Sequence, residues 1–188
     1  MALPNELLLS NLLSHNVKCD QGLDHGQGIL AWMHPPVHRI LGWATKPSVL
    51  SLSRSVWRLN QLKIISNLDI YTKGSPALSD QSTLDRFPTL IDASLLNKNN
   101  EKIGVVADFV FEINSGRILY YLISRSNPKL PGTSRWRLSL HKIVDQQPGL
   151  VITDFLTLDD IPLIKSSLRE DFLKNSKKLK QDFKKISY

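Results

Sequence analysis

The sequence contains one cysteine, two methionines and no long hydrophobic run. A single thiol, Cys19, excludes an internal disulfide framework and any metal or iron–sulfur centre that needs several thiolates. It is compatible with a reducing compartment. A membrane span requires roughly 18 to 20 successive apolar residues, and no segment approaches that length. Leu7, Leu8, Leu9, Leu12 and Leu13 superficially resemble a signal sequence. However, Glu6 stands where a basic region belongs, and Ser10 and Asn11 break the run. A mature chain starting at or near Met1 in the cytoplasm is therefore expected.

Catalytic signatures are equally scarce. The sequence has no G-x-S-x-G elbow, P-loop or H-E-x-x-H. His34 and His38 have the spacing of a helical zinc pair, but Pro35 and Pro36 between them forbid the helix. Gly26-Gln27-Gly28 begins like a dinucleotide fingerprint, yet Ala31 replaces the third glycine and no helix opens there. A calcium loop counted from Asp20 would need Glu at its last position and meets Ala31. Nothing in the spacing brings Cys19 together with His15 or His25 as a nucleophile and its base. The expectation is a protein that is not an enzyme, with no catalytic residues, metal, cofactor or small-molecule substrate.

What the chain does have is positive charge and internal repetition. At 41% hydrophobic and 22% charged it is an ordinary globular sequence, but its net charge is +7 and its pI about 9.6. Such a balance favours anionic partners. Its distribution is uneven. Residues 165–188 carry eight Lys or Arg against three acids, so +5 of the +7 lies there and +2 over residues 1–164. In the same stretch Leu168, Phe172, Leu179, Phe183 and Ile186 fall on one side of a helix, predicting a basic amphipathic helix over 161–188.

The repetition lies upstream. Gly28-Ile29-Leu30-Ala31 matches Gly104-Val105-Val106-Ala107, and Arg39-Ile40-Leu41 matches Arg117-Ile118-Leu119. Further on, Val56-Trp57-Arg58-Leu59 matches Arg135-Trp136-Arg137-Leu138, so the offset drifts from 76 through 78 to 79. Three matches in the same order indicate two versions of one unit. Each reads as short strands separated by turn signals: in the second, Lys102 to Ile113, a turn at Asn114-Ser115-Gly116, a return over Arg117 to Ser124, then Arg135 to Leu140 and Leu150 to Phe155. The fold class expected is mainly β. The boundaries expected are a first barrel over 1–74, a linker over 75–86, a second barrel over 87–160 and the helix beyond. A unit of this size buries little surface alone, so the two are expected to pack together.

Several of these residues resemble the PRC-barrel family, which is known from the photosynthetic reaction centre H subunit and the C-terminal domain of the ribosome maturation factor RimM. The resemblance is carried by Thr89-Leu90-Ile91-Asp92-Ala93, by Asn100-Glu101-Lys102-Ile103-Gly104 running into Val105-Val106-Ala107-Asp108, and by Ser115-Gly116-Arg117-Ile118. The loop and strand over 124–138 are similar to tandem PRC-barrel proteins of cyanobacteria and chloroplasts. The first half departs from the pattern at its Pro-Pro hairpin tip.

The resemblance implies a fold of two tandem small β-barrels and a binding role without shared catalytic residues. It points to an adaptor or assembly factor on a photosynthetic membrane complex, from the cytoplasmic or stromal side and peripheral to the thylakoid. A RimM-like factor binding RNA or the ribosome is the alternative, and peripheral membrane contact stays open. The candidate contact residues are Arg125, Lys129, Arg135 and Arg137, with Lys177, Lys178, Lys180, Lys184 and Lys185 in the tail. On a strand, Arg135 and Arg137 project from one face and Trp136 from the other. Paired guanidinium forks suit carboxylate or phosphate, although a purely structural Trp-Arg strand is equally consistent with its recurrence at Trp57-Arg58.

Overall fold

The computed structural model describes residues 3–34, 37–48, 50, 52–79, 85–86, 88–125 and 134–164. The chain is mainly β. Its first half forms β1 (Glu6–Leu8), a short helix α1 (Leu9–Ser14), β2 (Asn16–Cys19), β3 (Asp24–His34), β4 (Arg39–Thr45), β5 (Arg54–Arg58), β6 (Leu62–Ile65), β7 (Asp69–Thr72) and β8 (Ala77–Ser79). The second half forms β9 (Ser94–Leu96), β10 (Lys102–Glu112), β11 (Ile118–Ser124), β12 (Arg135–Ser139), β13 (Ile143–Gln147), β14 (Leu150–Thr153) and β15 (Leu163–Ile164). A single 3₁₀ turn, Leu59–Gln61 in the first half and Leu140–Lys142 in the second, leads from β5 to β6 and from β12 to β13.

Two sheets result, with strand orders β6-β7-β2-β3-β4-β5-β8 and β13-β14-β9-β10-β11-β12-β15. These are the same order, element for element. The long strands β3 and β10 each break register twice, at Gly28/Leu30 and Trp32/Met33 and at Val106/Asp108 and Val110/Phe111. Bulges bend a strand and increase its twist, and here they let one long strand serve both halves of a tightly curved sheet.

Strand pairing revises the alignment that the sequence suggests. Thr45 sits opposite Gly28, and Ile123 opposite Val106, so Gly28 corresponds to Val106 rather than Gly104. The offset is 78 through β4 and β11. It becomes 81 at the next strand, where Trp57 faces Trp43 and Leu138 faces Tyr121. Trp57 thus corresponds to Leu138, and Trp136 to Ser55. A connection three residues longer between β11 and β12 accounts for the change. Both sequence matches were displaced by two residues, which leaves every side chain on its proper face.

The termini of the units also differ from expectation. Residues 77–79, inside the expected linker, are a strand paired with β5. Leu163 and Ile164, inside the expected helix, pair with β12, and the Arg137 amide donates to the Pro162 carbonyl at 2.8 Å. The rest of the expected helix lies outside the described residues. At the other end, β1 leaves its own unit and pairs with β10 of the second, Leu7 opposite Phe111. Leu7, Leu9 and Leu12 are buried there, which explains the apolar residues near the N-terminus.

One continuous apolar core runs through both units. In the first it is built on Trp43 stacked against Trp57 at 6.3 Å, and in the second on Phe109, Phe111 and Tyr121. Gly42 is required here. A methyl at that position would lie 2.6 Å from the Trp32 ring and inside van der Waals contact of the Trp57 carbonyl oxygen.

The units meet at equivalent hairpins. The Ile40 amide donates to the Gly116 carbonyl at 2.8 Å, and the Ile118 amide donates to the His38 carbonyl at 2.9 Å. Because Ile40 corresponds to Ile118 and His38 to Gly116, the contact is related by a local twofold axis. It is broken at one place. His38 Nδ1 hydrogen-bonds the Tyr121 hydroxyl at 2.9 Å, whereas the equivalent of Tyr121 is Trp43 and the equivalent of His38 is a glycine. The fully buried Trp43 Nε1 has no hydrogen-bond partner among the described residues.

Candidate functional site

Strand β12 alternates as the sequence predicts. Trp136 and Leu138 are buried, while Arg137 is exposed and Arg135 half-buried on the other face. The register brings Arg137 opposite Leu122, and Leu122 opposite Asp108, so these three lie in a row on one face of the sheet, Arg137 exposed and Leu122 and Asp108 buried. Tyr120 lies next along β11, and the Arg137 guanidinium stands 4.3 Å from its ring centroid. Stacking of this kind leaves the guanidinium edge available for hydrogen bonds.

Behind the arginines lies Asp108, 9% exposed in the middle of an apolar strand. Its carboxylate accepts from the amides of Ser10 at 3.2 Å and Phe109 at 2.8 Å. Burial pushes its pKa up, and the hydrogen bonds from Ser10 and Phe109 and the charge of Arg135 pull it partly back. Tyr120 is also held above its ordinary value, chiefly by burial, with Arg137 lowering it and Glu6 raising it. The surface is therefore assembled from three segments distant in sequence: the N-terminal β1 and α1, the β10–β11 hairpin, and β12.

Of the arginines singled out in the sequence, the structure brings two together. Arg135 and Arg137 share this face. Arg125 instead pairs with Asp159 at 2.9 Å in an exposed ion pair, with its guanidinium 5.7 Å from the Trp136 ring. Lys129, Lys177, Lys178, Lys180, Lys184 and Lys185 lie outside the described residues. Sequence reasoning passed over Asp108 and Tyr120. The signal for the first was a lone acid inside Val105-Val106-Ala107-Asp108-Phe109-Val110-Phe111.

Several other polar groups serve the fold. His15 hydrogen-bonds the Asn11 and Ser66 carbonyls. His25 packs edge-on against Trp57 with ring centroids 5.0 Å apart, and its Nδ1 lies 3.4 Å from Ser55 Oγ. Burial holds the pKa of both His25 and His38 below the ordinary histidine value. Cys19 is buried. Among the described residues no group of three or more His, Cys, Asp or Glu side chains could hold a metal ion. No helix among them is long and apolar enough to cross a membrane.

Residues 83–157 match the family model of the PRC-barrel domain. The second unit is a PRC-barrel domain. The matched span covers β9 to β14, including the row of Asp108, Leu122 and Arg137. The first unit lies outside the match yet repeats the strand order and both bulges of the PRC-barrel. No curated protein matches the chain.

Proposed function

We propose that the protein is a non-catalytic adaptor that docks a large assembly through the outer face of its PRC-barrel domain, with Arg135 and Arg137 as the principal contacts. The observation that carries this reading is the pair of arginines on one face of β12, held by a buried tryptophan on the other and framed by Tyr120 and Asp108. Such an arrangement recognises carboxylate groups of a protein partner through guanidinium forks on a rigid strand.

The resemblance to tandem PRC-barrel proteins of photosynthetic organisms supports assigning the partner to a photosynthetic membrane complex approached from its cytoplasmic or stromal side. The basic tail supplies a second, longer-range attraction. Affinity capture with the full chain and with Arg135→Glu/Arg137→Glu tests the proposal. Stoichiometric recovery of the subunits of one membrane complex by the wild type, lost in the variant, is the expected result. Recovery of ribosomal RNA and proteins, or of the same complex by both chains, would refute it.

A further inference from the structure

The two arginines of the repeated Arg-Ile-Leu motif meet at the local twofold axis. Arg39 and Arg117 are paired across the junction in an isolated antiparallel bridge, flanked by the hydrogen bonds from Ile40 to Gly116 and from Ile118 to His38. That pattern makes them a non-hydrogen-bonded pair, the closer of the two antiparallel arrangements, with Cα atoms about 4.5 Å apart and both side chains on one face. Both residues are exposed.

Like charges directly opposite each other on a sheet are destabilising, and neither arginine is held in an ion pair among the described residues. The ion pairs Lys18–Asp69, Arg125–Asp159 and Lys142–Asp154 involve neither arginine. Glu112, the neighbouring acid, accepts a hydrogen bond from the Ser115 hydroxyl and forms no ion pair with either arginine. Arg39 is oriented by its Nε–H, which donates to the Ser115 carbonyl at 2.7 Å.

We infer that Arg39 and Arg117 form an anion site on the axis between the two units, fitted to a phosphate group held between two guanidinium forks. Tetrahedral oxyanions offer enough acceptors for both forks at once. The ligand then bridges the hairpins, so binding reinforces the junction. Inorganic phosphate and the phosphomonoester headgroup of a lipid share this chemistry.

The test uses the full chain. Its melting temperature is followed while inorganic phosphate replaces chloride at constant ionic strength, and its retention is measured on phosphatidylcholine vesicles with and without phosphatidic acid. Wild type is expected to show a saturable rise in melting temperature, and Arg117→Gln to require at least about tenfold more phosphate for the same rise. Arg39→Lys, which keeps the charge and loses the fork, is expected to weaken the response as well. In phosphate-free buffer Arg117→Gln should melt no lower than wild type, because it relieves repulsion. Saturation by phosphate assigns a free anion, and retention on phosphatidic acid that Arg117→Gln loses assigns a headgroup. The inference is overturned if neither arm responds, if Arg117→Gln responds as wild type does, or if that variant is destabilised without phosphate.

Discussion

Replacing Gly116 by alanine should uncouple the two units, and the structure provides a control that isolates the reason. Gly116 and Gly149 have similar backbone angles, φ of +71° and +78°. Both substitutions therefore cost about 1 kcal/mol for placing a Cβ in the left-handed region, offset equally by reduced freedom of the unfolded chain. Their surroundings differ. A methyl at Gly149 meets nothing within 4 Å, whereas at Gly116 it would fall inside van der Waals contact of the Ile40 carbonyl oxygen and lie 3.0 Å from Leu59 Cδ1. Relieving that overlap separates the hairpins and sacrifices the two backbone hydrogen bonds across the axis, each contributing about 1 kcal/mol. Gly116→Ala should consequently be about 2 kcal/mol less stable than Gly149→Ala, or roughly 4 to 8 °C lower in melting temperature for a chain of this size. Urea denaturation followed by tryptophan fluorescence measures the difference, and separation into two transitions would accompany it. Equal losses in the two variants would refute the argument that the junction depends on this close approach.

Other consequences follow from the same geometry. Since burial lowers the pKa of His38, the unfolded chain binds more protons as pH falls below about 6.5, and stability should decline from there toward the folded-state pKa. His38→Gln should flatten that slope in denaturation curves between pH 7.5 and 5.5, and an unchanged slope would remove His38 from the account. Asp108→Asn keeps an acceptor for the Ser10 amide while removing a charge that burial disfavours, so at neutral pH it should be neutral or mildly stabilising. Asp108→Ala should instead lose about 1 to 2 kcal/mol and loosen the N-terminal strand, read as faster amide exchange at Leu7 and Leu8. Arg137→Ala should leave stability within about 1 kcal/mol, because its contact with Tyr120 is a surface one, while weakening partner capture.

The repeat was legible because its hairpin residues are chemically distinctive: Gly116-Arg117-Ile118 requires a left-handed turn and an outgoing strand, and Arg39-Ile40 echoes it. Register was not. A displacement of two residues along a strand preserves which side chains point inward, so Trp57 and Trp136 looked equivalent though they occupy different levels of their cores. The outward placement of Arg135 and Arg137 followed from strand alternation alone. Asp108 had a local signal as a lone acid in an apolar strand, but its place with Tyr120 beside β12 became visible only through pairing, since no local pattern relates residues 15 to 30 positions apart. The transfer of Glu6–Leu8 to the second sheet has the same origin. Its leucines announce burial but not the partner, and the acceptor edge on β10 lies a hundred residues away.

The central proposal is that this chain works by docking on a protein assembly rather than by catalysis or RNA binding. Density-gradient sedimentation of extracts from the organism that makes it, comparing wild type with Arg135→Glu/Arg137→Glu, tests this most directly. The account predicts that the wild-type chain co-migrates with one membrane complex and that the variant stays at the top of the gradient. Co-migration with ribosomal particles, or a wild-type chain that remains at the top, would contradict it.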